Sequence, residues 1–165
     1  MLDKIIEERG VGIHHLLTAS LLGSAAELGL LNQITVTLIV RSAGKHVAEF
    51  LKIKDGDAYR NGDPVESVKK IMGALDVAKE YDVSGGADEI KVAVPTNLCK
   101  LCPKGVAGAE FLGTACPLPG LIESTLKTLV ADEWSLVQMD GKKHFVKEGD
   151  FCRFAYSRNQ KADDD

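Results

Sequence analysis

No run in this sequence approaches the ~18–20 consecutive apolar residues that a membrane span requires. The first ten residues hold Asp3, Glu7 and Glu8 and lack the basic-then-apolar layout of a secretory signal. Basic side chains are not in excess, since 20 Lys and Arg face 24 Asp and Glu for a net charge of −4. Non-specific nucleic-acid binding, which rests on basic patches that neutralise phosphates, is therefore not expected. Internal repeats and low-complexity segments are missing. So are the common catalytic signatures. There is no Gly-x-Ser-x-Gly, the GVAG at 105–108 lacks the Gly-Lys-Ser/Thr ending of a phosphate loop, and Glu27, Glu49 and Glu110 are too scattered for a paired acid and base. Cysteine is absent from the first 98 residues. What is present is a 165-residue chain, 45% apolar and 27% charged, with the size and balance of one globular domain. A chain of this length can bury about 68–70% of its unfolded surface. A cytoplasmic protein is expected.

The hydrophobic pattern changes along the chain. Over 10–31, Ile13, Leu16, Leu17, Leu21 and Leu28 recur at helical spacing among small residues, with Asn32 as a stop. The β-branched run ITVTLIV at 34–40 suits either a strand or a helix start, and a helix is expected over 41–51. Residues 54–63 are turn-rich. Asp63 and Pro64 then open a third helix with Val65, Val68, Ile71 and Met72 on its core face, broken at Ser84, Gly85 and Gly86. Residues 89–94 alternate as a strand, 97–119 are irregular, and 121–130 return to helix. Strands are expected at 134–139 and 143–146, joined by a turn at Asp140 and Gly141, and at 151–156 with Cys152, Phe154 and Tyr156 on one face. Helices first and strands afterwards predict an α+β fold, N-terminal helices packed on an antiparallel sheet formed mainly by the C-terminal half. The single tryptophan, Trp134, is expected in the core.

The cysteines are Cys99, Cys102, Cys116 and Cys152. Clustered cysteines in a cytosolic protein point to metal binding or redox chemistry more than to structural disulfides. The two-residue spacing of Cys99 and Cys102 lets both sulfurs reach one centre, and suits tetrahedral zinc or an iron–sulfur cluster. A redox pair is the rival, but such pairs usually sit at a helix N-terminus after a strand. Four inert, reduced cysteines are the plainest alternative. His144, with seven residues between it and Cys152, is a further candidate ligand. His14 and His15 are neighbours on a helix, about 100° apart, and read as ordinary structural histidines, as does His46.

The stretches TACPLPGLIES at 114–124 and KEGDFCRF at 147–154 resemble the vinyl-4-reductase, or hydrocarbon-binding, domain. That family places a Cys before its last helix, matched by Cys116, and ends on Cys-x-Phe, matched by Cys152 and Phe154. His144 stands where the family has a middle Cys, and Gly141 where a Glu often precedes it. Arg41, Gly44 and Glu49 suit its early helix, and the resemblance spans about residues 35–156. It implies a small α+β module, related to the Golgi-transport and nitric-oxide-signalling ligand domains, that dimerises, holds an apolar small molecule and often carries zinc.

These readings together predict a helical segment over 1–32 that makes a homodimer contact, a ligand domain over 33–158, and a flexible acidic tail over 159–165. The metal set is Cys99, Cys102, Cys116 and Cys152, with His144 as substitute. Zinc is the expected metal and an iron–sulfur cluster the alternative. The expected function is binding of an apolar small molecule, without an assigned catalytic residue. A thiol redox sensor, or an accessory protein or reductase acting on a tetrapyrrole vinyl group, are the alternatives. A ligand cavity is expected between the helices at 40–51 and 64–81 and the strand at 89–94.

Overall fold

The protein's computed structural model describes residues 2–59, 63–130, 133–139 and 144–158. Helices α1 (Leu2–Arg9) and α2 (Ile13–Glu27) open the chain. Asn32, expected to stop a helix, starts one instead. Its side-chain oxygen accepts from the N–H of Ile34 at 2.9 Å and of Thr35 at 3.1 Å, while Thr35 Oγ1 accepts from the Asn32 N–H at 2.8 Å. This reciprocal capping satisfies donors that a helix start leaves free. From it the β-branched run propagates as helix, so α3 (Gln33–Asp55) is continuous through the helix expected at 41–51. The expected 54–63 loop begins as the end of α3 and a 3₁₀ turn, Gly56–Tyr59.

Asp63 caps α4 (Pro64–Ala74) through Val65 N, and Val65, Val68, Ile71 and Met72 are buried as the pattern predicts. The helix ends far earlier than expected. Asp76 takes a left-handed φ of 48°, and the Ser84–Gly85 stretch read as a breaker belongs to strand β1 (Asp82–Gly85). Strand β2 (Glu89–Pro95) follows, then the short α5 (Pro103–Ala107) inside the stretch expected to be irregular. Helix α6 (Leu118–Val130) starts three residues before the expected position and takes Pro119 in its first turn, where a missing N–H costs nothing. The chain closes with β3 (Trp134–Leu136), β4 (Val146–Glu148) and β5 (Phe151–Arg158). The turn expected at Asp140 and Gly141 and the tail at 159–165 lie outside the described residues.

Among the described residues, the five strands form one antiparallel sheet in the order β1-β2-β5-β3, with β4 also on β5. β3 and β4 do not pair with each other as a hairpin would. They lie end to end along one edge of β5, Leu136 opposite Tyr156 and Val146 opposite Arg153. The fold is α+β, with the helices in the N-terminal half and the sheet in the C-terminal half, as expected.

Ile90, Val92 and Val94 of β2 face Tyr156, Phe154 and Cys152 of β5 across the ladder, so one row of side chains runs along the sheet's core face. α4 and α6 cover that row, and α3 packs behind α6. Trp134 is wholly buried in this core. The α3–α6 crossing is close because glycines meet it from both sides. A Cβ on Gly44 would lie 2.7 Å from Ser124 Cβ, and one on Gly120 would lie 2.9 Å from Thr37 Cγ2. Among the described residues no helix is long and apolar enough to cross a membrane.

Candidate functional site

The row of core residues on β2 and β5 ends at Val94 and Cys152, and there the packing opens into a cavity of about 450 Å³. Cys99, Cys102, Cys116 and Cys152 all line it. They arrive from three pieces of the chain, with Cys99 and Cys102 sharing the segment between β2 and α5. Cys99 sits in the turn leaving β2, where its N–H donates to Pro95 O at 3.1 Å. Cys102 is the N-cap of α5, its Sγ accepting from Gly105 N at 3.3 Å, with Pro103 pre-setting the first helical φ. Cys116 precedes α6, and Cys152 lies on β5 between Val94 of β2 and Lys147 of β4.

Long-range polar contacts hold these pieces together. Gln33, the first residue of α3, accepts from Cys116 N at 2.9 Å and donates to Cys116 O at 2.9 Å. Thr96 N donates to Asp150 O at 2.8 Å and joins the Cys99 turn to the turn before β5. Arg9, at the end of α1, donates to Cys99 O at 2.9 Å and Thr96 O at 3.3 Å. Lys100 points away, its ammonium 2.6 Å from Asp76 Oδ1. None of the four cysteines is in a disulfide. Burial pushes the Cys99 thiol up to about 12, with the neighbouring Cys102 and Cys152 adding to the shift and Arg9 opposing it. Cys116 is raised well above the usual thiol value by burial and then by Cys99. Cys152 is raised by burial and Cys102, against the pull of Lys147. As they stand, no three His, Cys, Asp or Glu side chains among the described residues are gathered at single-ion spacing.

Not every expected residue reaches the cavity. His144 is not in its lining, although the adjacent Phe145 is, and His144 Nδ1 is buried without a hydrogen-bond partner. Of the helices and strand expected to enclose a ligand, only Val94 lines this cavity. The corresponding faces of α3 and α4 pack solidly, with Ala48, Val68, Ile71 and Met72 at zero exposure.

Residues 29–158 match the MJ0207 family, a span that holds all four cysteines. This chain belongs to the MJ0207 family. Two relatives from Methanocaldococcus jannaschii are similar to it, both described as uncharacterized proteins. MJ1342 is 28% identical over 111 residues, covering 67% of this chain and 92% of its own length. MJ0207 itself is 31% identical over 117 residues, covering 67% of this chain and 74% of its own. No solved structure matches. The family match and these relatives lend no support to the resemblance to the vinyl-4-reductase domain.

The sequence reading missed three residues that build the site. Gln33 and Arg9 act through contacts more than eighty residues away in the chain, with no local signature. Lys104 was passed over within the C-x-x-C-Pro run, yet it sits on the cavity wall with its Nζ donating to Phe111 O at 2.6 Å.

Proposed function

We propose that this chain is a small-molecule-binding module whose cavity carries a four-cysteine metal centre. One observation supports this most. Four cysteines from three separate segments line a single cavity whose wall also includes Val94, Phe111, Leu118, Phe145 and Phe154. Chance placement of four thiols in one apolar pocket of a 165-residue chain is a poor explanation. The donor set suits zinc, which takes four thiolates in closed tetrahedral sites, and serves an iron–sulfur cluster as well. Binding would draw the sulfurs inward and displace their protons, which coordination does readily even for thiols that burial keeps neutral. His144 is the substitute ligand if one cysteine stays out. The free thiols suit a reducing, cytoplasmic setting.

The cavity volume lies within the ~300–1,000 Å³ of ordinary ligand sites. A reversible thiol sensor is less well supported, because it needs an accessible thiolate. Burial works against that at Cys99, Cys116 and Cys152. A role in reducing a tetrapyrrole vinyl group rests only on the resemblance at Cys116, Cys152 and Phe154. Elemental analysis and thiol titration of anaerobically purified protein test the reading together. About one metal centre per chain with blocked thiols is expected. Less than about a tenth of an equivalent of any transition metal, with all four thiols reacting freely, would remove it.

A further inference from the structure

We propose that the ligand of this cavity is an amphipathic anion, an apolar body carrying a carboxylate or phosphate head, and that Arg9, Lys104 and Lys147 receive the head. The inference rests on the small-molecule reading above and adds the chemical class of the ligand. The chain is acidic overall, with 24 Asp and Glu to 20 Lys and Arg. The cavity reverses that balance. Among the described residues its lining contains Arg9, Lys104 and Lys147 and not one carboxylate.

None of the three cations is in an ion pair among the described residues. Arg9 is held by the carbonyls of Thr96 and Cys99. Lys104 is held by the carbonyl of Phe111 and stands 4.6 Å from the centre of that ring. Neutral acceptors orient these groups without cancelling their charge. At a partly enclosed, apolar wall a positive charge acts more strongly on an incoming anion than it does in open water.

A metal does not use up this charge. Four thiolates on a divalent ion carry a net charge of −2, and the three cations carry +3, which leaves the wall at +1. With the thiols protonated the wall keeps the full +3. Nor does a metal use up the volume, since a tetrahedral zinc ion sits only ~2.3 Å from each sulfur. Phe145, Phe154 and Leu118 give that space an apolar wall, and the three cations line the same cavity. A neutral hydrocarbon would leave those charges unanswered, whereas an anionic head on an apolar tail answers both halves of the wall.

The test compares octanoate with 1-octanol, equal in chain length and different in head charge, by calorimetric titration of the full chain at neutral pH and low salt. Octanoate is expected to bind about tenfold or more tightly than octanol. That preference should shrink in high salt, as screening predicts. It should fall several-fold in Lys147→Gln, an exposed position, and further in the Lys104→Gln/Lys147→Gln pair. Lys147→Gln keeps the test intact if the double variant folds poorly. Equal binding of the two probes, or a preference for octanol, overturns the anionic class and leaves the apolar cavity standing. Binding of neither probe overturns the inference and the small-molecule reading with it.

Discussion

Glu123 is almost wholly enclosed, yet it is satisfied on every side. Its carboxylate takes Arg41 Nε at 2.6 Å, Lys127 Nζ at 3.4 Å and the Leu136 N–H at 3.0 Å. One side chain of α6 therefore ties α3 to the end of strand β3. Removing it strands a buried N–H and a half-buried guanidinium, so Glu123→Ala should cost about 3 kcal/mol in urea unfolding. Arg41→Ala should cost less, because the 41% exposed arginine is partly hydrated already.

His15 provides a pH signature. Its Nδ1 accepts from Gly12 N at 3.0 Å, and burial, followed by the charge of His14, lowers its pKa below 6.5. The unfolded chain then binds the proton more readily than the folded one. His15 stability is fully present above about pH 6.5 and is lost as pH falls toward the lower folded value. Unfolding midpoints should drop between pH 7.5 and pH 5.5, and His15→Gln should flatten that slope. An unchanged slope in the variant would contradict the assignment. Residues such as His15 were legible as structural from spacing alone, because adjacent helical positions cannot share a metal. Gln33 and Arg9 were not, because their partners are set by the tertiary fold and leave no mark in the neighbouring sequence.

Among the elements, the α3–α6 crossing depends on the missing side chain of Gly44, where a Cβ would stand 2.9 Å from Leu121 O as well as against Ser124. Gly44→Ala must push the helices apart. A loss of roughly 1–3 kcal/mol is expected, or about 2–4 °C in Tm per kcal/mol for a chain of this length. The strongly periodic elements, α4 and β2, were readable because one face of each is buried and the other wet. Boundaries failed where two signals competed. Ser84, Gly85 and Gly86 look like a helix breaker, but Gly85 holds a φ of 138° at the end of β1, where the chain turns back to pair with β2. Asn32 reads equally as an end or a beginning, and only the capping geometry decides. The cysteine cluster was visible as a spacing, while the shape and cationic lining of its cavity come from five separated segments.

For the whole molecule, the outer face of the first helices stands out. Ile13, Leu17, Leu21, Leu28, Ile34 and Leu38 are between 58% and 79% exposed and form an apolar surface on α2 and α3. The small residues of α2 do not serve that surface throughout, since a Cβ on Gly23 would meet Ala109 Cβ at 2.6 Å inside the fold. The stretch 13–26 carries no Asp, Glu, Lys or Arg, so nothing in it repels an identical copy. We therefore expect a homodimer that covers this face. Light scattering should give twice the 17.7 kDa chain mass at micromolar concentration, and Leu17→Glu/Leu21→Glu should give the chain mass. A monomer for the unaltered protein would contradict the expectation.

The central claim is that Cys99, Cys102, Cys116 and Cys152 share one metal centre inside a ligand cavity. X-ray absorption at the metal edge of the protein as purified tests it most directly, because it counts sulfur neighbours. The account predicts a sulfur-dominated first shell, at ~2.3 Å if the metal is zinc, which Cys116→Ser reduces. A first shell of nitrogen and oxygen alone, or one that Cys116→Ser and Cys152→Ser leave untouched, would contradict it.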